Sequence, residues 1–206
     1  MPTLTAHPRR TVTRLRRSSV TSTSPDRELL IRSKEGSQDA FRQLVEMYTP
    51  RVYGLVRNLV SSTSEAEDVT QEVFFKVYRK LDSFREDSAF YTWLYRVAVN
   101  AATDWLKKRR LDRSFQVDDV GSLPLLDPAD GPDDDLGKKD LRAEVRRAMA
   151  TLPQKFRTIL VLRELEGLAY EEISAVLSIS KGTVESRLFR ARARLKTELE
   201  RHFKAS

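Results

Sequence analysis

Between Asp26 and Arg110 apolar residues recur every three or four positions, the spacing that lines one face of a helix. Phe41, Leu44, Val45 and Tyr48 fall at i, i+3, i+4, i+7, and Val52, Leu55, Val56 and Leu59 repeat the pattern after Pro50. Ser64 with Glu67 three residues on has the form of a capping box, which predicts a helix whose apolar stripe is Ala66, Val69, Val73, Val77 and Leu81. A further helix is expected from near Ala89 to about Lys108, burying Leu94, Val97, Ala98, Ala101 and Trp105. Helical spacing returns after residue 140. Val145, Met149 and Leu152 lead into Pro153, Phe156, Ile159 and Leu160 line the next helix, and Gly167 ends it. No stretch alternates with period two, so the expected fold is all-α.

The two helical stretches are separated by residues 111–140, where the pattern fails. That segment holds Asp118, Asp119, Asp127, Asp130, Asp133, Asp134 and Asp135 among Pro124, Pro128 and Pro132. Proline and clustered like charge oppose both helix and sheet, which predicts a flexible acidic linker. The organisation read from the sequence is a disordered basic tail (1–24), a helical domain (25–110), the linker, and a second small helical domain (141–206). The tail contains Arg9, Arg10, Arg14, Arg16 and Arg17 and no acidic residue. It reads either as unstructured chain or as extra electrostatic hold on a polyanion.

Composition narrows the chemistry. The 206 residues include no cysteine, which excludes disulfides, thiolate metal sites and thiol catalysis, and the two histidines, His7 and His202, stand at opposite ends. Neither a cofactor nor a metal is expected. No apolar run approaches the roughly 18–20 residues that cross a bilayer, so no membrane insertion is expected and a cytoplasmic location follows. A formal charge of +7 makes a polyanionic partner plausible, and the acidic linker means that the flanking domains are more basic than the total.

The strongest local pattern is YEEISAVLSISKGTVESRLF, Tyr170 to Phe189, which has the spacing of a helix-turn-helix. Ile173, Val176 and Leu177 face inward from a first short helix, and Val184 and Leu188 pack the second helix back on it. Ser178 occupies the turn, where the backbone often needs positive φ, and Ser180 can cap the second helix. Left outward are Lys181, Thr183, Glu185, Ser186, Arg187 and Arg190, hydrogen-bonding groups suited to a major groove. Arg192, Arg194 and Lys196 continue them as a cationic ridge.

In the front domain Asp68, Gln71, Glu72 and Phe75 lie at i, i+3, i+4, i+7, a second face on the helix that also carries Phe74. Such a face is either solvated or a protein-docking surface. The run Asp68-Val-Thr-Gln-Glu-Val-Phe74 resembles the polymerase-binding signature of region 2 in sigma-70-family factors of the extracytoplasmic-function type. Residues 81–100, LDSFREDSAFYTWLYRVAVN, resemble the next part of that region in sigma-E-type members. Residues 163–173, RELEGLAYEEI, and 182–192, GTVESRLFRAR, resemble region 4.

The resemblance implies a non-enzymatic subunit that directs RNA polymerase to promoters. Asp68, Gln71, Glu72, Phe74 and Phe75 would meet the clamp helices of the polymerase β′ subunit, and region 4 would meet the β flap. The segment from Phe84 to Thr92 would capture an unstacked base of the −10 element, with Phe84, Phe90 and Tyr91 as aromatic candidates and Trp93 either stacking or in the core. Arg96, Asn100, Thr103 and Lys107 share one helical face, on which Asn100 would read a base; Lys107, Lys108, Arg109 and Arg110 would hold phosphates. Lys181, Thr183, Glu185, Ser186, Arg187, Phe189 and Arg190 would touch the −35 element. Glu185 stands where the family is often basic, and Ala169 where a serine or threonine cap is usual. The partners implied are core RNA polymerase, promoter DNA and an anti-sigma factor. An ordinary two-domain helix-turn-helix regulator would need a ligand pocket or a coiled seam, and an enzyme would need a preorganised cluster; the sequence shows none of these.

Overall fold

The structure, a computed structural model, describes residues 25–60, 62–85, 89–115 and 136–205. The basic tail and the middle of the acidic segment, residues 116–135, lie outside the described residues. Everything regular among the described residues is helical. The front module consists of α1 (Pro25–Lys34), α2 (Gln38–Arg57), α3 (Thr63–Lys80) and α4 (Phe90–Phe115), with a short 3-10 turn at Leu81–Ser83. The rear module consists of α5 (Leu136–Thr151), α6 (Gln154–Leu160), α7 (Tyr170–Leu177) and α8 (Lys181–Ala205). Both α4 and α5 run into the segment expected to be linker, five residues from one side and five from the other.

Pro50 sits inside α2 rather than dividing it. A proline there lacks one helical N–H, yet Leu44, Val52, Leu55 and Val56 are all buried, and their packing holds the helix continuous across the defect. The α3 cap falls two residues earlier than the sequence pattern suggested. Ser62 Oγ accepts from Glu65 N and Glu65 Oε2 accepts from Ser62 N, both at 3.2 Å, so Ser62 with Glu65 forms the box and Ser64 lies in the first turn. Both pairs fit the same three-residue spacing, and the backbone direction at Ser62 chose between them.

The front core joins Val52, Leu55 and Val56 of α2, Val69, Val73 and Val77 of α3, and Leu94, Ala98, Ala101 and Ala102 of α4. The alanines let α4 approach closely. In the rear module α6 and α5 pack on α8, around Ile159, Leu160, Leu162, Ile173, Val184 and Leu188. After Leu160 the helix widens into a π-helical turn, Val161–Leu165, and Gly167 at φ +69° ends it. The two modules are not separate bodies in this structure: α7 packs on α4, and the buried residues of both form one cluster.

Candidate nucleic-acid interface

On α3 the stripe Val69, Val73 and Val77 is buried, and the face that points elsewhere is the one singled out in the sequence. Asp68 and Gln71 are exposed, Glu72 is half-buried and paired with Lys76 at 2.7 Å, and Phe74 is partly buried against the core. Phe75 is 61% exposed, with the Arg79 guanidinium 5.7 Å from its ring centre. Tyr78, one turn on, is 57% exposed and meets Phe41 edge to face. Sequence reasoning missed Tyr78, although its i+3 spacing from Phe75 marks it. Two large exposed rings thus stand beside the carboxylates on this face.

The aromatic residues around the start of α4 divide in two. Phe84 and Phe90 are buried, 4% and 6% exposed, and stack edge to face with each other; Tyr48 packs on Phe90, and the partly buried Trp93 lies against both phenylalanines. Lys34 Nζ donates to the Phe84 carbonyl at 2.8 Å and lies over its ring. Phe84 and Phe90 thus shape the segment from beneath, and their rings have no free face here. Residues 86–88, in the middle of that segment, lie outside the described residues. Tyr91 alone of the three candidates is not fully buried; it lies edge to face with Tyr95, and its hydroxyl donates to Glu172 of α7.

Along α4 Asn100 and Lys107 are exposed and Arg96 is half-buried. Thr103, on the same face, accepts through Oγ1 from Gln154 Nε2 at 3.0 Å. Arg109 is committed to an ion pair with Glu65 at the start of α3, which leaves Lys107 and Lys108 as the exposed ammonium groups of that basic run.

The helix-turn-helix is α7 and α8. Ser178 adopts φ 53°, ψ 46°, the left-handed turn expected of it, and Ser174 Oγ donates to the Ile179 carbonyl across that turn. Ala169 caps α7 without a side-chain acceptor, but Glu172 Oε2 takes the Ala169 N–H and keeps half of the box. Thr183 N donates to Ser180 Oγ at 3.2 Å, capping α8 as expected. Val184, Leu188 and Ala191 bury one side of α8. Lys181, Glu185, Ser186, Phe189 and Arg190 are exposed and Thr183 and Arg187 half-buried, with Phe189 at 75%. Glu171 pairs with Lys181 at 2.6 Å and holds its ammonium above the usual lysine range, so this cation stays charged. Arg192 is drawn instead to Glu164, at 2.7 Å.

Several residues between the modules carried no sequence signal. Tyr95 Oη donates to Glu166 Oε2 at 2.7 Å; burial pushes the Glu166 carboxyl up from its ordinary range, against the opposing pull of this bond and of Arg51. The same burial, with the Glu166 partner, raises the Tyr95 phenol. Arg157 donates to the carbonyls of Met149, Ala150 and Leu152 at the end of α5 and, at 3.2 Å, to the Leu59 carbonyl beyond α2. One guanidinium thus satisfies helix-end acceptors of both modules.

The family model described as Sigma-70 region 2 matches residues 44–111, and that described as Sigma-70, region 4 matches residues 142–195. The ECF RNA polymerase sigma-E factor of Escherichia coli is 42% identical over 181 residues, spanning 85% of this chain and 94% of that protein. The chain belongs to the sigma-70 family, in its extracytoplasmic-function branch. A second relative, the RNA polymerase sigma-H factor of Pseudomonas aeruginosa, is 40% identical across 85% of this chain and 94% of its own length. Among solved structures, CnrH in complex with the cytosolic domain of CnrY superposes with a TM-score of 0.63 at 27% identity, over 86% of this chain and 98% of that one. The sigma factor RpoE bound to the anti-sigma factor NepR, from Bartonella quintana, gives 0.64 at 27% identity, over 78% and 96%. Members of this family initiate transcription as non-enzymatic factors. No helix among the described residues is long and apolar enough to cross a membrane.

Proposed function

We propose that this sigma factor binds core RNA polymerase through α3, reads the −10 element with the start and outer face of α4, and reads the −35 element with α8. The observation that carries the reading is the joining, in one chain, of a largely exposed acidic and aromatic face on α3 with a helix-turn-helix whose polar side is exposed. Asp68, Gln71, Glu72, Phe74 and Phe75, with Tyr78 added, dock on the β′ clamp helices; region 4 meets the β flap. Around −10, Tyr91 supplies the stacking ring, Phe84 and Phe90 shape the segment that carries it, Arg96 and Asn100 face the bases, and Lys107 meets phosphate. In the major groove of −35, Ser186, Arg187 and Arg190 contact bases and backbone beside Lys181, Thr183 and Phe189, and Glu185 accepts from a cytosine amino group.

Each module alone binds weakly, and joining them on polymerase raises the effective concentration of the second once the first has docked. The factor acts in the cytoplasm, in a stress or envelope response, held in check by an anti-sigma factor that packs on both modules and can keep it at the membrane. The complex of the related sigma factor RpoE with the anti-sigma factor NepR supports control by an anti-sigma factor. The test is transcription in vitro with core polymerase over a promoter library, the transcripts being sequenced. Start sites sharing −10 and −35 elements, lost on Glu72→Lys and on Phe75→Ala, are the expected result. Tight sequence-specific DNA binding by the chain alone, with no polymerase binding, would replace this reading with that of an ordinary regulator.

A further inference from the structure

The aromatic cluster at the start of α4 is tied at two points to α1. Tyr48, Phe84, Phe90 and Trp93 meet ring to ring, with centroids 5.3 to 5.8 Å apart. From one end of α1, Lys34 Nζ donates to the Phe84 carbonyl at 2.8 Å and stands 5.3 Å from the centre of the Phe84 ring. From the other end, Asp26 accepts from the Tyr48 hydroxyl at 2.7 Å, and the Tyr48 ring packs edge to face on Phe90. Between these ends Leu29 and Leu30 are buried, so α1 is itself seated on the front core. Phe84 is buried, and its N–H is taken up by the Leu81 carbonyl as the 3-10 turn closes. A buried carbonyl without a donor is costly, and among the bonds described Lys34 is the donor that meets this one. One half-buried ammonium thus fixes both the backbone and the ring of Phe84.

We infer that α1 braces the −10-reading end of α4, with Lys34 and Asp26 as positioning residues that act through Phe84 and Tyr48. This rests on the assignment of −10 reading to the start of α4 given above. Neither residue is given a contact with DNA. Lys34 fixes Phe84, Phe84 packs on Phe90 and Trp93, and these two stand in the first turn of α4, before and after Tyr91 in the sequence. Stacking an unpaired base on a ring raises affinity by roughly 5- to 150-fold. That gain needs the ring to be held where the base arrives, by neighbours that are themselves held. The brace therefore sets how well a base is told from its absence, and leaves alone how tightly the DNA backbone is held. Lys34 is the residue to change first, because both of its contacts go to Phe84. The Asp26 tie is reached by Tyr48→Phe, which removes the hydroxyl and keeps the ring on Phe90.

The test uses holoenzyme assembled from core polymerase and the full chain. Fluorescence anisotropy follows a labelled single strand carrying the −10 element, and a series of the same strand with one abasic site at each position in turn. In the parent, the ratio of intact to abasic affinity should peak at the captured base. Lys34→Met keeps the stem and removes the ammonium; it should lower that peak ratio by about fivefold or more, with the abasic affinity little changed. Lys34→Arg, which again offers a donor and a cation, should restore it. Tyr48→Phe should lower the ratio as well, and it carries the test should Lys34→Met not assemble with core polymerase. A general loss of folded chain or of phosphate attraction scales both strands alike and leaves the ratio where it was. A parent that discriminates, with both variants discriminating equally well, overturns the brace. A ratio lost in Lys34→Met and not restored by Lys34→Arg overturns the role given to the ammonium. A loss in Lys34→Met without one in Tyr48→Phe overturns the Asp26 tie alone. A parent ratio near one at every position overturns instead the assignment of −10 reading to the start of α4, on which the brace rests.

Discussion

Ser178 has to satisfy a backbone conformation that its side chain disfavours. The turn between α7 and α8 requires φ +53°, and a residue with a Cβ pays steric cost there that glycine does not. The turn persists because it is held from both sides: Ser174 reaches the Ile179 carbonyl, and Ile173, Val176, Val184 and Leu188 close over it. Ser178→Gly should therefore raise stability by about 0.5–1 kcal/mol, seen as a higher urea midpoint at unchanged slope, with −35 binding unaltered. The same scale explains Glu185. It is an exposed carboxylate beside hydroxyls, cations and the Phe189 ring, and on the proposed −35 face it would disfavour phosphate and accept from an amino-group donor.

At the scale of the element, α3 shows how one helix serves two purposes. Its valines at i, i+4 and i+8 are sunk into the core, while Asp68, Gln71 and Phe75 on the other side are exposed. The helix is stiffened at its start by the reciprocal bonds of Ser62 and Glu65, and Glu65 is further tied to Arg109 of α4. Ser62→Ala should cost about 1 kcal/mol of stability, while Ser64→Ala stays within about 0.5 kcal/mol; thermal unfolding of the two variants side by side checks which serine caps. The pattern of spacing alone matched both serines. Only the direction in which the chain enters the helix separates them. Likewise Phe84 and Phe90 look, as letters, like stacking rings; the structure buries both and leaves Tyr91 half-buried, turned toward Glu172 of α7.

For the whole molecule, Glu166 between the modules makes folding stability sensitive to pH. Burial raises the folded-state pKa of Glu166 above its value in the unfolded chain, so the folded form binds the extra proton. The sign follows: the contribution is fully present below the unfolded pKa, and stability is lost as pH rises from there through the raised folded value. Facing Glu166 are Tyr95, which donates to it, and Arg51, which favours its charged form. Glu166→Gln keeps an acceptor for Tyr95 and removes the buried charge. Its midpoint against urea should therefore match that of the parent chain in acid and exceed it at neutral pH. A variant no more stable at neutral pH would mean that the carboxylate is solvated in the folded chain.

Helical periodicity, the Ser180 cap, the Gly167 stop and the left-handed turn were all settled by local sequence, because each depends on residues within one or two turns of each other. The exposed α8 face was legible for the same reason: once Val184 and Leu188 are buried, the helix period dictates which side chains point away. The acidic face of α3 and the family to which the chain belongs were legible too. What the tertiary structure decided were relations between distant residues: the packing of Phe90 against Tyr48, the capture of Arg109 by Glu65, and the span of Arg157 from α5 to Leu59. Sequence separations of 42 to 98 residues carry no periodic signal. Such pairs form only when packing brings two surfaces together, and so the closure of one module on the other was decided by the fold alone.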